Sequence, residues 1–278
     1  FSSMLVIAGL GLYGLRDLTQ GVIEVMRSAD RVYIELYTSL LPDFDLEELQ
    51  RLAGKPVTIV ARKELEGEWL EELLEQAKSK LVLLLAPGDP FIATTHFTIK
   101  LEAVKHGVKA VYLPSPSIVN AVHAATGLDF YKFCRPVTIV KPRPGYFPLT
   151  PYYVLLENLR RGLHTLFLLD LNLEENYAME VNEAVKLLEE MEGKVGGGVI
   201  DDETLFVAVA QAASPREAVK AFKLREHIDV GPPPHTLIIP GLLNAVEAEA
   251  LCVLAGASPL DVNRWNKRVK SMMVEQAF

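Results

Sequence analysis

Two cysteines in 278 residues, Cys134 and Cys252, exclude a disulfide framework and show no metal-ligand spacing. The chain therefore reads as one for a reducing compartment, with both thiols expected to be buried and structural. Basic charge is also short. Lys and Arg number 28 against 36 Asp and Glu, a formal net charge of −8, which argues against a nucleic-acid-binding face. No apolar run reaches membrane-spanning length and no secretory pattern opens the sequence, so the expected location is the cytoplasm, with no membrane partner. Absent too are H-E-x-x-H, C-x-x-C, a Walker lysine after the first glycine-rich turn, and any local signature of a Ser-His-Asp or Cys-His nucleophile. Metal, ATP and hydrolytic chemistry lose ground accordingly, and no metal ion is expected.

What is present is apolar. Half the residues are hydrophobic, enough for a substantial core in one large domain or two ordinary ones. Phe1-Ser2-Ser3 ahead of Met4 reads as a cloning remnant. Leu81 to Leu85 forms an unbroken aliphatic run, the pattern of a strand buried on both faces, and ends in Pro87-Gly88-Asp89-Pro90. Proline cannot continue a central strand, so the chain turns there and sets Asp89 at a strand's carboxyl end, where open α/β sheets hold ligands. Taken alone, the motif reads first as a strand-ending turn with Asp89 capping the following helix.

The start of the chain carries a second signal. Met4 to Ala8 reads as a buried strand, followed by Gly9-Leu10-Gly11-Leu12-Tyr13-Gly14, a literal G-x-G-x-x-G. A second strand, Arg31 to Tyr37, carries Glu35, laid out as a dinucleotide fingerprint with an acidic residue for a ribose. A NAD-dependent oxidoreductase of Rossmann type is therefore an open alternative. Against it, Leu15 to Thr19 separates the glycines from the helix, with Asp17 and Thr19 as the apparent helix caps.

Beyond these, helices are expected over 44–53, 68–78 and 97–106, with short strands at 57–61 and 109–113. This strand–helix alternation argues for a mostly parallel sheet. Pro114-Ser115-Pro116-Ser117 reads as a domain joint, giving domains 4–114 and 115–260 and a more basic tail, 261–278, that carries Trp265. In the second half, strands are expected at 138–141, 165–170, 204–210 and from His235, and helices at 152–161, 177–191 and 247–255. The proline-rich segment 142–151 reads as a surface loop or flap, flanked by Lys141 and Arg143. Gly231-Pro-Pro-Pro-His235 delivers a histidine stiffly to a strand start.

Taken in order, these motifs resemble a known family. Gly9-Leu-Gly-Leu12, Pro87-Gly-Asp-Pro90 with Ala93-Thr-Thr-His96, Ser117-Ile-Val-Asn120 with Tyr131-Lys-Phe133, His164-Thr-Leu-Phe-Leu-Leu-Asp170, and Pro233 to Gly241 with Val246 to Leu251 are similar to the archaeal diphthine synthases. These are S-adenosylmethionine-dependent methyltransferases of the tetrapyrrole-methylase type (class III). The likeness runs from about Met4 to Ala257. It implies two α/β domains with a cofactor cleft between them. It also implies S-adenosyl-L-methionine as cofactor and S-adenosyl-L-homocysteine as product, with contacts on Leu12, Asp89, Ile92, Ser117, Ile118, Leu168, Ala210 and His235. The implied substrate is the amino group of a 3-carboxy-3-aminopropyl-histidine on elongation factor 2, in diphthamide synthesis. The implied assembly is a homodimer. A tetrapyrrole or other small-molecule methyltransferase is the same-fold alternative. Leu242 and Asn244 depart from the family's usual Lys and His, as does the 141–148 loop. Lys141 or Arg143 is expected to help receive the acidic modified side chain. The resemblance implies no catalytic side chain.

Overall fold

The computed structural model describes residues 2–274, so Phe1 and residues 275–278 of the expected tail lie outside the described residues. The chain forms two compact units, Phe1–Ile118 and Val119–Phe278.

In the first unit the elements are β1 (Met4–Gly9), α1 (Gln20–Ser28), β2 (Arg31–Ile34), α2 (Leu46–Ala53), β3 (Thr58–Ile59), α3 (Arg62–Leu65), α4 (Trp69–Ala77), β4 (Leu81–Ala86), α5 (Phe97–Lys105) and β5 (Ala110–Leu113). The strands form one sheet in the order β3-β2-β4-β1-β5, with every pairing parallel. Both central strands, β1 and β4, are buried along their whole length. Their side chains alternate between two cores. Val6, Ala8, Leu83 and Leu85 pack with Val22 and Met26 of α1 and Leu49 of α2. Leu5, Ile7, Val82 and Leu84 pack on the other face with Leu73 and Leu74 of α4 and Ile99 of α5. The continuous aliphatic run in the sequence is thus the record of two helical layers.

The second unit contains α6 (Ile118–Thr126, starting on the last residue of the first unit), β6 (Val137–Ile139), α7 (Thr150–Arg160), β7 (Thr165–Leu169), β8 (Leu171–Asn172), β9 (Tyr177–Ala178), α8 (Val181–Val195), β10 (Leu205–Ala210), β11 (Ala218–Lys223), β12 (His235–Ile239), α9 (Ala245–Ala255) and α10 (Pro259–Met272). Its sheet runs β11-β10-β12-β7-β6. Only the β6–β7 pair is parallel; β12 pairs antiparallel with both β7 and β10.

Several sequence expectations are corrected here. Residues 177–180 are not helical. Asn176 takes a left-handed turn (φ 52°) and Tyr177–Ala178 pairs back on Leu171–Asn172, so α8 starts at Val181. The β11 strand was not expected. Most of the 261–274 segment, whose packing the sequence leaves open, is helical: α10 begins at Pro259, capped by Ser258, and buries Val262, Trp265 and Val269. The Trp265 indole N–H donates to the Pro240 carbonyl at 2.9 Å. Both cysteines are half-buried rather than fully enclosed.

Candidate functional site

In the first unit, β1 lies between β4 and β5, and the loops leaving the carboxyl ends of all three are tied together. Gly11 and Gly88 exchange both backbone hydrogen bonds, at 3.2 and 2.7 Å. The Leu10 N–H donates to the Ala86 carbonyl at 2.8 Å. Such close approach needs glycine. A Cβ on Gly9 would lie 2.2 Å from the Gly88 carbonyl oxygen and 2.4 Å from Ser115 Cβ.

Asp89 organises this edge. It is 3% exposed. Its Oδ1 accepts the Phe91 N–H at 2.9 Å, and its Oδ2 accepts the Tyr112 hydroxyl and the Ser115 N–H, the latter at 3.2 Å. Ser115 Oγ donates in turn to the Gly9 carbonyl at 2.8 Å. One carboxylate thus pins its own turn, β5 and the β5 loop. Burial, then the hydrogen bond and charge of Asp89, push the Tyr112 hydroxyl up to about 12. The expected helix-capping role fails: α5 starts only at Phe97, and Asp89 caps the turn at Phe91 instead. An ionised carboxylate offers about four acceptor sites, so Asp89 keeps room for one further donor.

Asp17 shapes the glycine loop. Its Oδ2 accepts the amides of Leu12 and Tyr13 at 2.8 and 3.0 Å. Thr19 caps α1 as expected, accepting from the Val22 N–H, but Asp17 folds back on the loop rather than capping the helix. The amides of Leu10, Gly11, Leu12 and Tyr13 all donate inside the protein, which leaves them no pyrophosphate to bind. Glu35 is equally committed. It is fully buried and accepts from Tyr37 N–H (2.9 Å), Thr38 N–H (3.1 Å), Thr38 Oγ1 (2.5 Å) and His96 Nε2 (2.8 Å). The dinucleotide fingerprint therefore has neither its phosphate donors nor its ribose carboxylate.

The remaining first-unit residues of the expected set sit on the same edge. Leu12 is half-buried in the glycine loop, and Ile92 is 37% exposed in the turn after Asp89. Ser117 is buried directly before Ile118, the first residue of α6. Ala93, next to Ile92, holds a left-handed backbone (φ 56°), the kind of local strain that clusters at ligand sites.

In the second unit the expected residues are brought together by strand register. Ala210 pairs with His235, and Leu168 pairs with Thr236, so the three lie on adjacent strands at one sheet edge. Ala210 is fully buried, and Leu168 is half-buried. His235 Nδ1 accepts the Val181 N–H at 3.3 Å, so its Nε2 carries the proton and donates to the Gly231 carbonyl at 2.7 Å. That fixes a neutral imidazole with both nitrogens occupied. Gln211, one residue past Ala210, is left-handed (φ 47°) and reaches the Pro232 and Pro233 carbonyls.

A different polar centre lies at the opposite end of β7. Glu247, 1% exposed, receives hydrogen bonds from His164 Nε2 (2.5 Å), Asp129 N–H (3.0 Å), Asn244 N–H (3.1 Å) and Lys132 Nζ. Burial alone raises its carboxyl. The hydrogen bonds outweigh burial and hold it down at about 2. His164 Nδ1 accepts the Gly241 N–H at 2.8 Å, and burial pushes the imidazole's proton affinity down, so it sits neutral. This centre joins α9, β7 and the 129–133 turn, and is structural.

Sequence reasoning missed Asp17, Tyr112, Ser115 and Gln211. Asp17 carried a signal, an acidic residue three positions past the glycine-rich turn, read there as a helix cap. Tyr112 and Gln211 carried none, because only strand pairing brings them to the edge.

Comparison with known proteins fits this arrangement. The model of the Tetrapyrrole (Corrin/Porphyrin) Methylases matches residues 4–227. A diphthine synthase of Methanocaldococcus jannaschii is 41% identical over 89% of this chain and 97% of its own length. One from Methanococcus maripaludis is 41% identical, with the same coverage of both chains. A crystal structure of diphthine synthase superposes with a TM-score of 0.83 at 36% identity, covering 96% of this chain and all of that one. The chain accordingly belongs to the tetrapyrrole methylase family, as a methyltransferase of its diphthine synthase branch.

Proposed function

We propose that this methyltransferase uses S-adenosyl-L-methionine to methylate the amino group of the modified histidine on elongation factor 2, giving diphthine. The observation that carries this reading is the near full-length match to curated diphthine synthases at 41% identity. The cofactor contacts are assigned to Leu12, Asp89, Ile92, Ser117 and Ile118 in the first unit, and to Leu168, Ala210 and His235 in the second. The residues suit that group. Leu12, Ile92 and Leu168 offer apolar surface for a nucleoside, and the free acceptor site on Asp89 suits a hydroxyl or amine.

When bound, the cofactor supplies a methyl group already activated on a sulfonium. The chain's task is alignment of the incoming neutral amine, and well-oriented reactants can gain roughly 7–11 kcal/mol in this way. Both nitrogens of His235 are engaged, so its imidazole acts as a fixed strut and not as a base. The protein acts in the cytoplasm as a homodimer. Support for the dimer comes from α9, where the apolar side chains of Val246 and Val253 are 72% and 74% exposed. Among the described residues, no helix is long and apolar enough to cross a membrane.

The test is methyl transfer from labelled S-adenosylmethionine to elongation factor 2 bearing the unmethylated intermediate. Incorporation at the modified histidine is expected; no incorporation, with turnover on a free tetrapyrrole instead, overturns the assignment. Calorimetry should show S-adenosylhomocysteine binding and no NADH binding.

A further inference from the structure

The second sheet's edge carries a pair of charges that the cofactor assignment leaves unused. Because β6 and β7 run parallel, the residues just past them, Lys141 and Asp170, emerge side by side. The Asp170 N–H donates to the Ile139 carbonyl at 3.1 Å, and Asp170 Oδ2 accepts the Lys141 N–H at 2.8 Å. The β8–β9 hairpin then returns to the same place. The Met179 N–H donates to the Asp170 carbonyl at 2.8 Å, and Lys141 Nζ lies 4.2 Å from the centre of the Tyr177 ring. Tyr177 is itself anchored, its hydroxyl donating to Glu183 at 2.9 Å. Burial, then Glu183, then the charge of Asp170 push that hydroxyl far above the ordinary phenol range.

Among the described residues, the Lys141 ammonium is in contact with the Tyr177 ring and with no carboxylate, and the Lys141 N–H goes to Asp170 Oδ2, leaving Oδ1 without a hydrogen bond. The two side chains share an edge without neutralising each other. Lys141 instead rests on an aromatic face, which holds an ammonium in place while leaving its N–H groups available. A carboxylate with one oxygen fixed by a backbone amide and the other open is likewise oriented but unsaturated. Fixed, unpaired charges of opposite sign on one edge are what a ligand bearing both an amine and a carboxylate requires.

We propose that Lys141 and Asp170 form the receiving site for an α-amino-acid headgroup, with Lys141 taking its carboxylate and Asp170 Oδ1 accepting an N–H of its amine. This rests on the diphthine synthase reading, whose substrate carries both groups on one carbon. Tyr177 is a positioning residue that steers the lysine. The backbone pairing of β6 and β7 sets the two residues side by side.

The test measures KM for elongation factor 2 carrying the unmethylated intermediate, alongside S-adenosylhomocysteine affinity by calorimetry. Lys141→Met and Asp170→Asn are each expected to raise KM about tenfold or more while cofactor affinity stays within about twofold of the parent. Lys141→Arg should recover most of the loss. Asp170→Asn still accepts the Lys141 N–H, so a purely structural role leaves KM unchanged. Parent-like KM in both variants overturns the headgroup site while methyl transfer itself stands. Loss of cofactor affinity in both also overturns it, since the pair would then serve the cofactor. Absence of transfer by the unsubstituted enzyme overturns the function assignment, and the headgroup site with it.

Discussion

The two units expose their expected site residues in different ways. In the first, three loops meet at a parallel sheet edge and are bound by side chains: Asp17 on the glycine turn, Asp89 on its neighbours, and Ser115 on Gly9. In the second, Leu168, Ala210 and His235 are aligned by strand register across three antiparallel strands, and the one polar side chain among them is already occupied. A site clamped by side chains is vulnerable at single residues. A site set by register is vulnerable only through the sheet that sets it.

The largest effect should come from the second unit's distant polar centre. Glu247→Ala leaves the Asp129 and Asn244 amides and Lys132 without their acceptor, and a broken buried ion pair costs about 3–5 kcal/mol. Urea unfolding checks this. Cofactor affinity measured well below the unfolding midpoint should survive if the sheet does. The same carboxylate predicts acid behaviour. Its folded value, about 2, lies below that of an unfolded glutamate, so its contribution is complete above the unfolded value. That contribution is lost as pH falls from about 4.3 toward 2. Glu247→Gln should flatten stability across that window; an unchanged acid profile would contradict the network.

Next comes Gly9→Ala. Its Cβ would meet backbone at 2.2 Å, so the β1 and β4 loops must part. Overpacking here should cost about 3 kcal/mol and remove S-adenosylhomocysteine binding.

Asp89→Asn keeps the shape but removes the charge. Cofactor affinity should fall about tenfold or more in calorimetry. Tyr112 should titrate below its present value of about 12, though only in part, because burial is the larger cause. An unaltered affinity would remove Asp89 from the site and leave it a purely structural clamp.

The smallest effect belongs to Gly14→Ala. Gly14 is extended (φ 179°), and its added Cβ would only press on the Asp43 carbonyl at 3.2 Å. A loss of about 1 kcal/mol or less, with cofactor affinity kept, is expected. A phosphate cradle would need both glycines, so the contrast with Gly9→Ala separates the two readings of the glycine motif.

Legibility followed the same division. Leu81 to Leu85 was readable as a doubly covered strand because each side chain faces one of two helical layers, and alternation then leaves no polar position. Pro-Gly-Asp-Pro marked the turn that holds Asp89, although its partners Tyr112 and Ser115 were not visible. The glycine motif misled in one respect. Its spacing matches a dinucleotide turn, and only the Gly11–Gly88 exchange and the Asp17 hydrogen bonds show that its amides are taken. Residues 177–180 were misread as helix because a two-residue strand has no period of its own. The last helix was hidden because its burial depends on Trp265 finding the Pro240 carbonyl.

The amino-acid sequence alone determined the α/β class, the position of the strand-ending turns, and, through the ordered motifs, the family. These are local matters, governed by hydrophobic runs and by the backbone limits of glycine and proline. Tertiary structure decided which polar groups are already satisfied: Glu35 on His96, Asp89 on Tyr112 and Ser115, and His235 on Val181, with the Lys141 ammonium and Asp170 Oδ1 left open. Hydrogen bonds between residues far apart in the chain depend on which strands become neighbours, and that pairing is a property of the assembled sheet.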